Sequence, residues 1–346
     1  MTRERLLALL DCFAKLHIVV MGDLFLDRWL TIDPTLTEPS VETGLDAWQV
    51  VSSRQQGGAA GTVLNTLSAV GIGKLQAISM VGTDGEGFMV KRALAEKGVD
   101  TSTVITSTQI MTPAYVKPMV LQPDGSLLEG NRLDYKNRQP TPKALENKLI
   151  ALLEAAAETA DAIVLLDQLT EEGHGVITPA VRKAAARIAT SHPDLIIFAD
   201  SRAFIDRFRH IIIKCNNYEA AALSGIALSD SFQQTEAFAA LDFLSRQSNR
   251  LVFVTCNEHG IAVKKDGQPM LLPAAKQQQP IDICGAGDAC SAGIVSALCA
   301  GADPAEAAVI GNLCAGVTVR KLGTTGTANQ QEVLALYAEQ FEGGVQ

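Results

Sequence analysis

Residues 162–199 read AIVLLDQLTEEGHGVITPAVRKAAARIATSHPDLIIFA. Ala162 to Leu166 and Leu195 to Ala199 are short unbroken apolar runs, and Pro179 to Ser191 between them reads as a helix. Strands covered on both faces read as continuous apolar runs, and parallel neighbours need a long crossover, so this is a strand–helix–strand unit of a parallel sheet. The pattern extends in both directions. Upstream, helix 142–158 leads into the first run; downstream come strand 211–214, helix 218–223, helix 235–246 and strand 251–255. Two long apolar helices follow, 287–300 and 304–321. The second has a clear start, with Asp303 as N-cap, Pro304 at the first helical position and Glu306 completing a capping box. Nearer the N-terminus, strand 18–21 ends in a Gly22-Asp23 turn, helices 62–70 and 87–97 are each stopped by a glycine, and strand 77–81 lies between them. The predicted class is α/β: a doubly wound, mostly parallel sheet with helices on both faces.

Two segments break the rhythm. From 28 to 55 apolar and polar residues mix with Thr, Pro and Gly, which predicts short exposed strands. From 110 to 135, strands 115–121 and 126–133 flank a Pro123-Asp124-Gly125 turn. These predict a small antiparallel sheet beside the main one, with 1–27, 56–109 and 136–346 as the body. Leu6, Leu7, Leu9, Leu10 and Phe13 predict a short amphipathic helix packed on that body.

The 346 residues are 47% hydrophobic with 19% charged residues, enough apolar material for one large core or two modest ones. A net charge of −9 repels phosphate backbones and argues against a nucleic-acid partner. The 7 cysteines are odd in number, form no CxxC and sit mostly in apolar stretches, as reduced core thiols do. That expectation places the chain in a reducing, cytoplasmic compartment. Charges at Arg3, Glu4, Arg5, Asp11 and Lys15 interrupt any signal-peptide pattern, and no run reaches the roughly 18 apolar residues of a membrane span.

The usual nucleotide fingerprints fail. Gly73-Lys74 precedes Leu75, so there is no Walker loop, and neither Gly22-Asp23-Leu24 nor Gly71-Ile72-Gly73 supplies GxGxxG. An NAD-linked oxidoreductase is thereby disfavoured. The 5 histidines are scattered, and no HExxH occurs.

The stretch with chemistry is Asp282-Ile283-Cys284-Gly285-Ala286-Gly287-Asp288, leading directly into an apolar helix. Glycines permit a tight turn with several N–H groups on one side, and a helix start adds orphan donors and partial positive charge. Together they suit an anion such as a phosphoryl group. A carboxylate there fits a base facing the attacking hydroxyl; it fits a simple helix cap as well.

This stretch resembles the C-terminal signature of the PfkB, or ribokinase-like, carbohydrate kinases. Gly57-Gly58-Ala59-Ala60 before a helix resembles the family's N-terminal glycine signature, and Asn216-Asn217-Tyr218-Glu219 its N-x-x-E element. The three occur in family order along nearly the whole chain. The resemblance implies Asp288 as general base and the amides of Gly285, Ala286 and Gly287 as the anion hole. It implies acceptor contacts at Asp23, Asp27, Gly57 and Gly58, and nucleotide contacts at Asn216, Thr255, Asn257, Gly260, Asp282, Gly287 and Asn312. Glu219 and Asn216 are implied in magnesium placement. ATP and Mg2+ follow as cosubstrate and cofactor; whether a monovalent cation such as K+ assists stays open. A small β-sheet lid, and a homodimer joined through it, are also implied. Gly22-Asp23-Leu24-Phe25-Leu26-Asp27-Arg28-Trp29, the Glu38-Pro39-Ser40-Val41 run and Asn131-Arg132-Leu133-Asp134 look most like heptose-7-phosphate kinases. For such a sugar phosphate, Lys117 and Arg132 are the expected counter-charges.

Three departures bear on substrate. Gly61 stands where the family carries a sugar-contacting Asn. Asn257 stands for the first glycine of T-x-G-x-x-G. Gln168-Leu169-Thr170-Glu171-Glu172 replaces a lysine-bearing Tyr-Gly-Lys-Gly-like segment. They keep two alternatives open: a non-catalytic sugar sensor or partner subunit on the same fold, and a kinase for ribose, fructose or a nucleoside.

Overall fold

The computed structural model describes residues 1–279 and 281–343. Its main sheet runs, edge to edge, Gln268–Leu272, Ile261–Lys265, Val252–Thr255, Ile212–Asn216, Ile196–Ser201, Ala162–Asp167, His17–Gly22, Lys74–Gly82 and Val99–Asp100, with Val104–Ser107 also pairing to Lys74–Gly82. All neighbours from Val252–Thr255 onward are parallel; the first two strands form an antiparallel edge.

Period-two alternation explains why these strands are apolar throughout. Ile18 and Val20 enter one core while Val19 and Met21 enter the other; Val164 and Leu166 oppose Ile163 and Leu165 in the same way. Helices Arg3–Cys12, Ala60–Ala69, Ala286–Cys299, Pro304–Thr318 and Gln330–Phe341 cover the first face. Lys143–Ala157, Pro179–Ser191 and Gln234–Ser248 cover the second. The capping box of Asp303 and Glu306, with Pro304 at the helix start, is present as expected.

A second sheet forms the lid, in the order Leu127–Glu129, Ala114–Leu121, Leu24–Ile32, Val50–Ala59, with Leu133–Tyr135 beside Ala114–Leu121. Here the structure differs from the reading of the sequence. Gly22-Asp23 is not a reversing turn: strand His17–Gly22 continues after one residue into the nine-residue strand Leu24–Ile32. One segment of chain therefore serves both sheets, and the lid begins at Leu24 and ends at Ala59 rather than spanning 28–55. The single strand expected at 126–133 is two short ones, because the chain leaves the ladder between Glu129 and Leu133. The hairpin 261–272 and the helix Gln330–Phe341 are additions.

Candidate active site

In an open parallel sheet, ligand sites gather beyond the carboxyl ends of the strands. Those ends carry Asp167, Asn216 and Thr255 as the last strand residue, Asp200 just before it and Asp23 just after it. A cavity of about 170 Å3 opens there, lined by Asp167, Asp200, Arg202, Glu219, Asp288 and the lid-to-body residue Ala59. Ala59 has φ 53°, a left-handed value that a residue with a Cβ rarely adopts, and it caps the helix Ala60–Ala69 at the cavity wall.

The turn 282–288 is built as a helix start. Gly285, at φ 80°, occupies the N-cap position of Ala286–Cys299. A Cβ there would lie 2.6 Å from Thr325 Cγ2, so glycine is required by both conformation and space. Asp282 fastens the turn from below: one carboxylate oxygen accepts from the Cys284 amide at 3.0 Å, the other from the Gly323 amide at 3.0 Å. Its side chain is thus spent on holding the loop. The Ala286 amide donates to Ile283 O at 3.2 Å. Among the described residues, the amides of Gly285, Gly287 and Asp288 have no hydrogen-bond partner. The open donors are therefore Gly285, Gly287 and Asp288, with Ala286 serving the turn itself.

The Asp288 carboxylate accepts no hydrogen bond among the described residues. Burial pushes its pKa up to about 7; the nearby Asp200 charge adds to the rise and Lys214 opposes it. An acid near neutrality in a cleft has the property asked of a general base.

Asp23 and Asp27 part company. Asp23 is 5% exposed, and its oxygens accept from the Val176 amide at 2.8 Å and the Gln168 amide at 3.3 Å. It anchors the segment after strand Ala162–Asp167 and does not line the cavity. Burial raises it to about 6, against the pull of those amides. Beside it, Asp167 is raised to about 7, by burial first and by the Asp23 charge second. Asp27 sits on the lid strand, raised by burial while Lys117 and Arg132 pull it down. A Cβ on Gly58 would come within 2.5 Å of Asp27 Oδ2, so the glycine signature makes room for this carboxylate. The backbone carbonyl of Gly57 accepts from Asn65 Nδ2 at 3.3 Å. Lys117 lies over the Trp29 ring at 4.8 Å, and Arg132 over Tyr115 at 4.4 Å. Arg132 is also paired with Asp134.

Asn216 and Glu219 form a capping box at the start of Asn217–Ser224: Asn216 Oδ1 accepts from the Glu219 amide at 2.8 Å, and Glu219 Oε2 accepts from the Asn216 amide at 2.9 Å. Glu219 Oε1 has no partner among the described residues, and Glu219 lines the cavity. Its pKa is raised by burial, with Asp200 adding to the effect. Four carboxylates (Asp167, Asp200, Glu219 and Asp288) face two cations, Lys214 and Arg202. Among the described residues no group of three or more His, Cys, Asp or Glu is placed to hold a metal ion, so these carboxylates form no cage of their own; magnesium held by one or two carboxylates takes the rest of its shell from phosphates and water.

At the end of strand Val252–Thr255, Thr255 Oγ1 donates to Cys215 O at 3.3 Å. Asn257 takes φ 49°, so it holds the left-handed turn that a glycine would hold. Gly260 has no room for a Cβ, which would lie 1.9 Å from Leu272 O. Asn312, 8% exposed, donates to Leu272 O at 2.9 Å and Pro273 O at 3.0 Å. Gly260 and Asn312 thus shape the same stretch, beside a cavity of about 150 Å3 with a largely apolar lining that includes Pro273, Ala275, Val309, Asn312 and Leu313.

Asp167, Asp200, Arg202 and Lys214 were not singled out from the sequence. Three of them had a signal: Asp167 and Asp200 close apolar strand runs, and Lys214 follows Ile211-Ile212-Ile213, where a charge has no reason to be buried without a task.

Comparison with known proteins gives the family and the fold. A family model described as pfkB family carbohydrate kinase matches residues 30–331. The Bifunctional protein HldE of Citrifermentans bemidjiense is 28% identical over 335 residues, covering 96% of this chain and 66% of its own length. The chain therefore spans about two thirds of the curated relatives it matches. Among solved structures, phosphofructokinase-2 from Escherichia coli in complex with substrates and products superposes with a TM-score of 0.71 at 15% identity, covering 94% of this chain and 99% of that one. Ribokinase from Arabidopsis thaliana complexed with ribose and ATP gives 0.65 at 17% identity, covering 93% and 98%.

Proposed function

The chain belongs to the pfkB family of carbohydrate kinases, and on that footing we propose that it transfers the γ-phosphoryl group of ATP to a hydroxyl of a sugar phosphate, a heptose phosphate foremost, with Asp288 as the base. The observation that carries this reading is the pairing of an unengaged, near-neutral carboxylate with three unpartnered amides on one glycine turn. The acceptor hydroxyl approaches Asp288, which takes its proton as the oxygen attacks. Negative charge shifting to the leaving ADP and the equatorial oxygens is met by the amides of Gly285, Gly287 and Asp288, fixed before the reaction starts.

Asp27 and Gly58 hold the acceptor hydroxyls from the lid side, and Lys117 and Arg132 balance the charge of the acceptor phosphate. Asp23 supports the site by holding the 168–176 segment. Adenine takes the apolar cavity at Asn312, with its phosphates directed past Thr255, Asn257 and Gly260 toward the turn. Glu219, steadied by Asn216, would hold magnesium, which when bound neutralises phosphate charge. The exposed apolar residues of the lid, among them Leu45 (71%), Trp48 (55%), Leu128 (61%) and Leu133 (55%), favour a homodimer formed through it. Sedimentation velocity reads that state; a monomer at micromolar concentration removes it. The chain works in the cytoplasm.

The test is an acceptor screen with coupled ADP detection. Acceptor-dependent ADP release is expected, strongest with heptose phosphates among sugars and sugar phosphates. Folded protein that turns over no acceptor, and that binds a sugar yet binds MgATP weakly or not at all, would overturn the proposal in favour of a sugar sensor.

A further inference from the structure

The catalytic turn has no side-chain cap of its own, and two of its three central residues are glycines. Asp282 holds the loop that precedes it, and the first helical peptide needs a hold of its own. Beneath it lies Lys214, 6% exposed on strand Ile212–Asn216, with Ile212, Ile213 and Cys215 buried around it. Its Nζ is 2.7 Å from Asp200 Oδ2 and 3.5 Å from the Gly287 carbonyl oxygen. The Ser291 hydroxyl, one helical turn on, lies 3.1 Å from Asp200 Oδ2 and 3.0 Å from Gly287 O and shares its single proton between these two acceptors. Two donors thus meet two acceptors in a closed ring of Lys214, Asp200, Ser291 and Gly287.

This ring makes little sense as a stabiliser. Removing an ion pair from water costs several kcal/mol per ion, and replacing such a pair by fitting uncharged residues is often neutral or stabilising. What the ring does fix is a direction. The peptide joining Gly287 to Asp288 is planar and trans, so its N–H points opposite to its C=O. Holding the Gly287 carbonyl down on Lys214 and Ser291 holds the Asp288 amide, one of the unpartnered donors, away from them. It also fixes the backbone that carries the Asp288 carboxylate.

We infer that Lys214, with Asp200 and Ser291, is the positioning device of the catalytic turn: it orients the Gly287–Asp288 peptide so that the amide and carboxylate of Asp288 meet the transferring phosphoryl group and the incoming hydroxyl together. The inference rests on the proposed role of that turn.

The test compares the wild-type chain with Lys214→Met/Asp200→Asn, which removes the charge pair without stranding either ion. The expected result is an unfolding midpoint equal to or above that of the wild type, an acceptor KM within about twofold, and kcat lower by about 10²-fold. A kcat within about threefold of the wild type overturns the inference. So does a loss of stability accompanied by parallel losses in kcat and KM, the mark of a merely structural pair. Ser291→Ala is the milder probe should the double variant not fold: kcat lower by about fivefold at unchanged KM supports the ring, and unchanged kcat refutes it. Amide hydrogen exchange over 285–291 needs no turnover. Faster exchange in either variant is expected, and unchanged exchange overturns the positioning role even if no acceptor is found. An inactive wild type with faster exchange in the variants counts against the proposed function alone.

Discussion

The 282–288 turn and the lid meet at one cavity, through Asp288 and Ala59, and are built on opposite plans. The turn is specified several times over: Asp282 fastens it to the 323 loop, Gly285 admits its conformation, and Lys214, Asp200 and Ser291 hold its first helical peptide. Its helix is buried along most of its length. The lid is thin, one sheet deep, with Leu127, Leu128, Leu133 and Val50 in the open and its cations resting on aromatic rings. The contrast teaches where rigidity is needed. Phosphoryl transfer asks for donors already in place, whereas recognition of an acceptor tolerates a cover that moves over it.

If the contrast is real, damage to the two regions must differ in kind. The largest effect belongs to the turn. Gly285→Ala forces a side chain into a left-handed position and against Thr325, and kcat should fall by about 10²- to 10³-fold with acceptor KM little changed, as steady-state kinetics will read. On the lid, Lys117→Ala/Arg132→Ala should instead raise KM for a phosphorylated acceptor by roughly tenfold while leaving kcat nearly intact, because charge-assisted contacts of this kind act on binding. A fall in kcat alone would erase the distinction between the regions.

The third effect is on stability. The Asp288 carboxyl titrates near 7 in the folded chain and near 4 when unfolded. A carboxyl whose pKa is raised on folding contributes stability below its unfolded value, and that contribution is lost as pH rises through its folded value. Asp288→Asn removes the loss. Denaturant unfolding should show its stability relative to the wild type improving from pH 5 to pH 8, by on the order of 1–2 kcal/mol. The smallest effect concerns the rim between the two regions. Glu219→Gln should raise the magnesium concentration for half-maximal rate by roughly fivefold with acceptor affinity unchanged; an identical magnesium titration would remove Glu219 from that role.

The same contrast decided what could be read in advance. The turn is contiguous in sequence, so its glycines, its aspartate and the apolar helix after it are visible together, and its place at a helix start was legible. The parallel body was legible because burial on both faces leaves unbroken apolar runs. The lid was not. Leu24–Ile32 pairs antiparallel with Val50–Ala59 and parallel with Ala114–Leu121, both distant in sequence, and its Asp27, Arg28 and Trp29 are half-buried without clean alternation. Nothing local separates Asp23 from Asp27; only the fold shows that backbone amides of the 168–176 segment occupy Asp23, while Asp27 sits on the lid strand near Lys117 and Arg132. The hairpin at 261–272 did leave a trace in Asp266-Gly267, both at positive φ, and the last helix in the Asn329 and Glu332 capping box. Lys214 was visible as a charge after three isoleucines, but its partners Asp200 and Gly287 come from two other elements.

Transfer of labelled γ-phosphoryl from ATP to the best acceptor, followed in Asp288→Asn beside calorimetric binding of both ligands, reaches the centre of the account. The rate should drop by about 10³-fold while both affinities stay within roughly twofold of the wild type. A variant that still transfers phosphate within tenfold of the wild-type rate would contradict it, because the proton of the acceptor hydroxyl would then be leaving by another route.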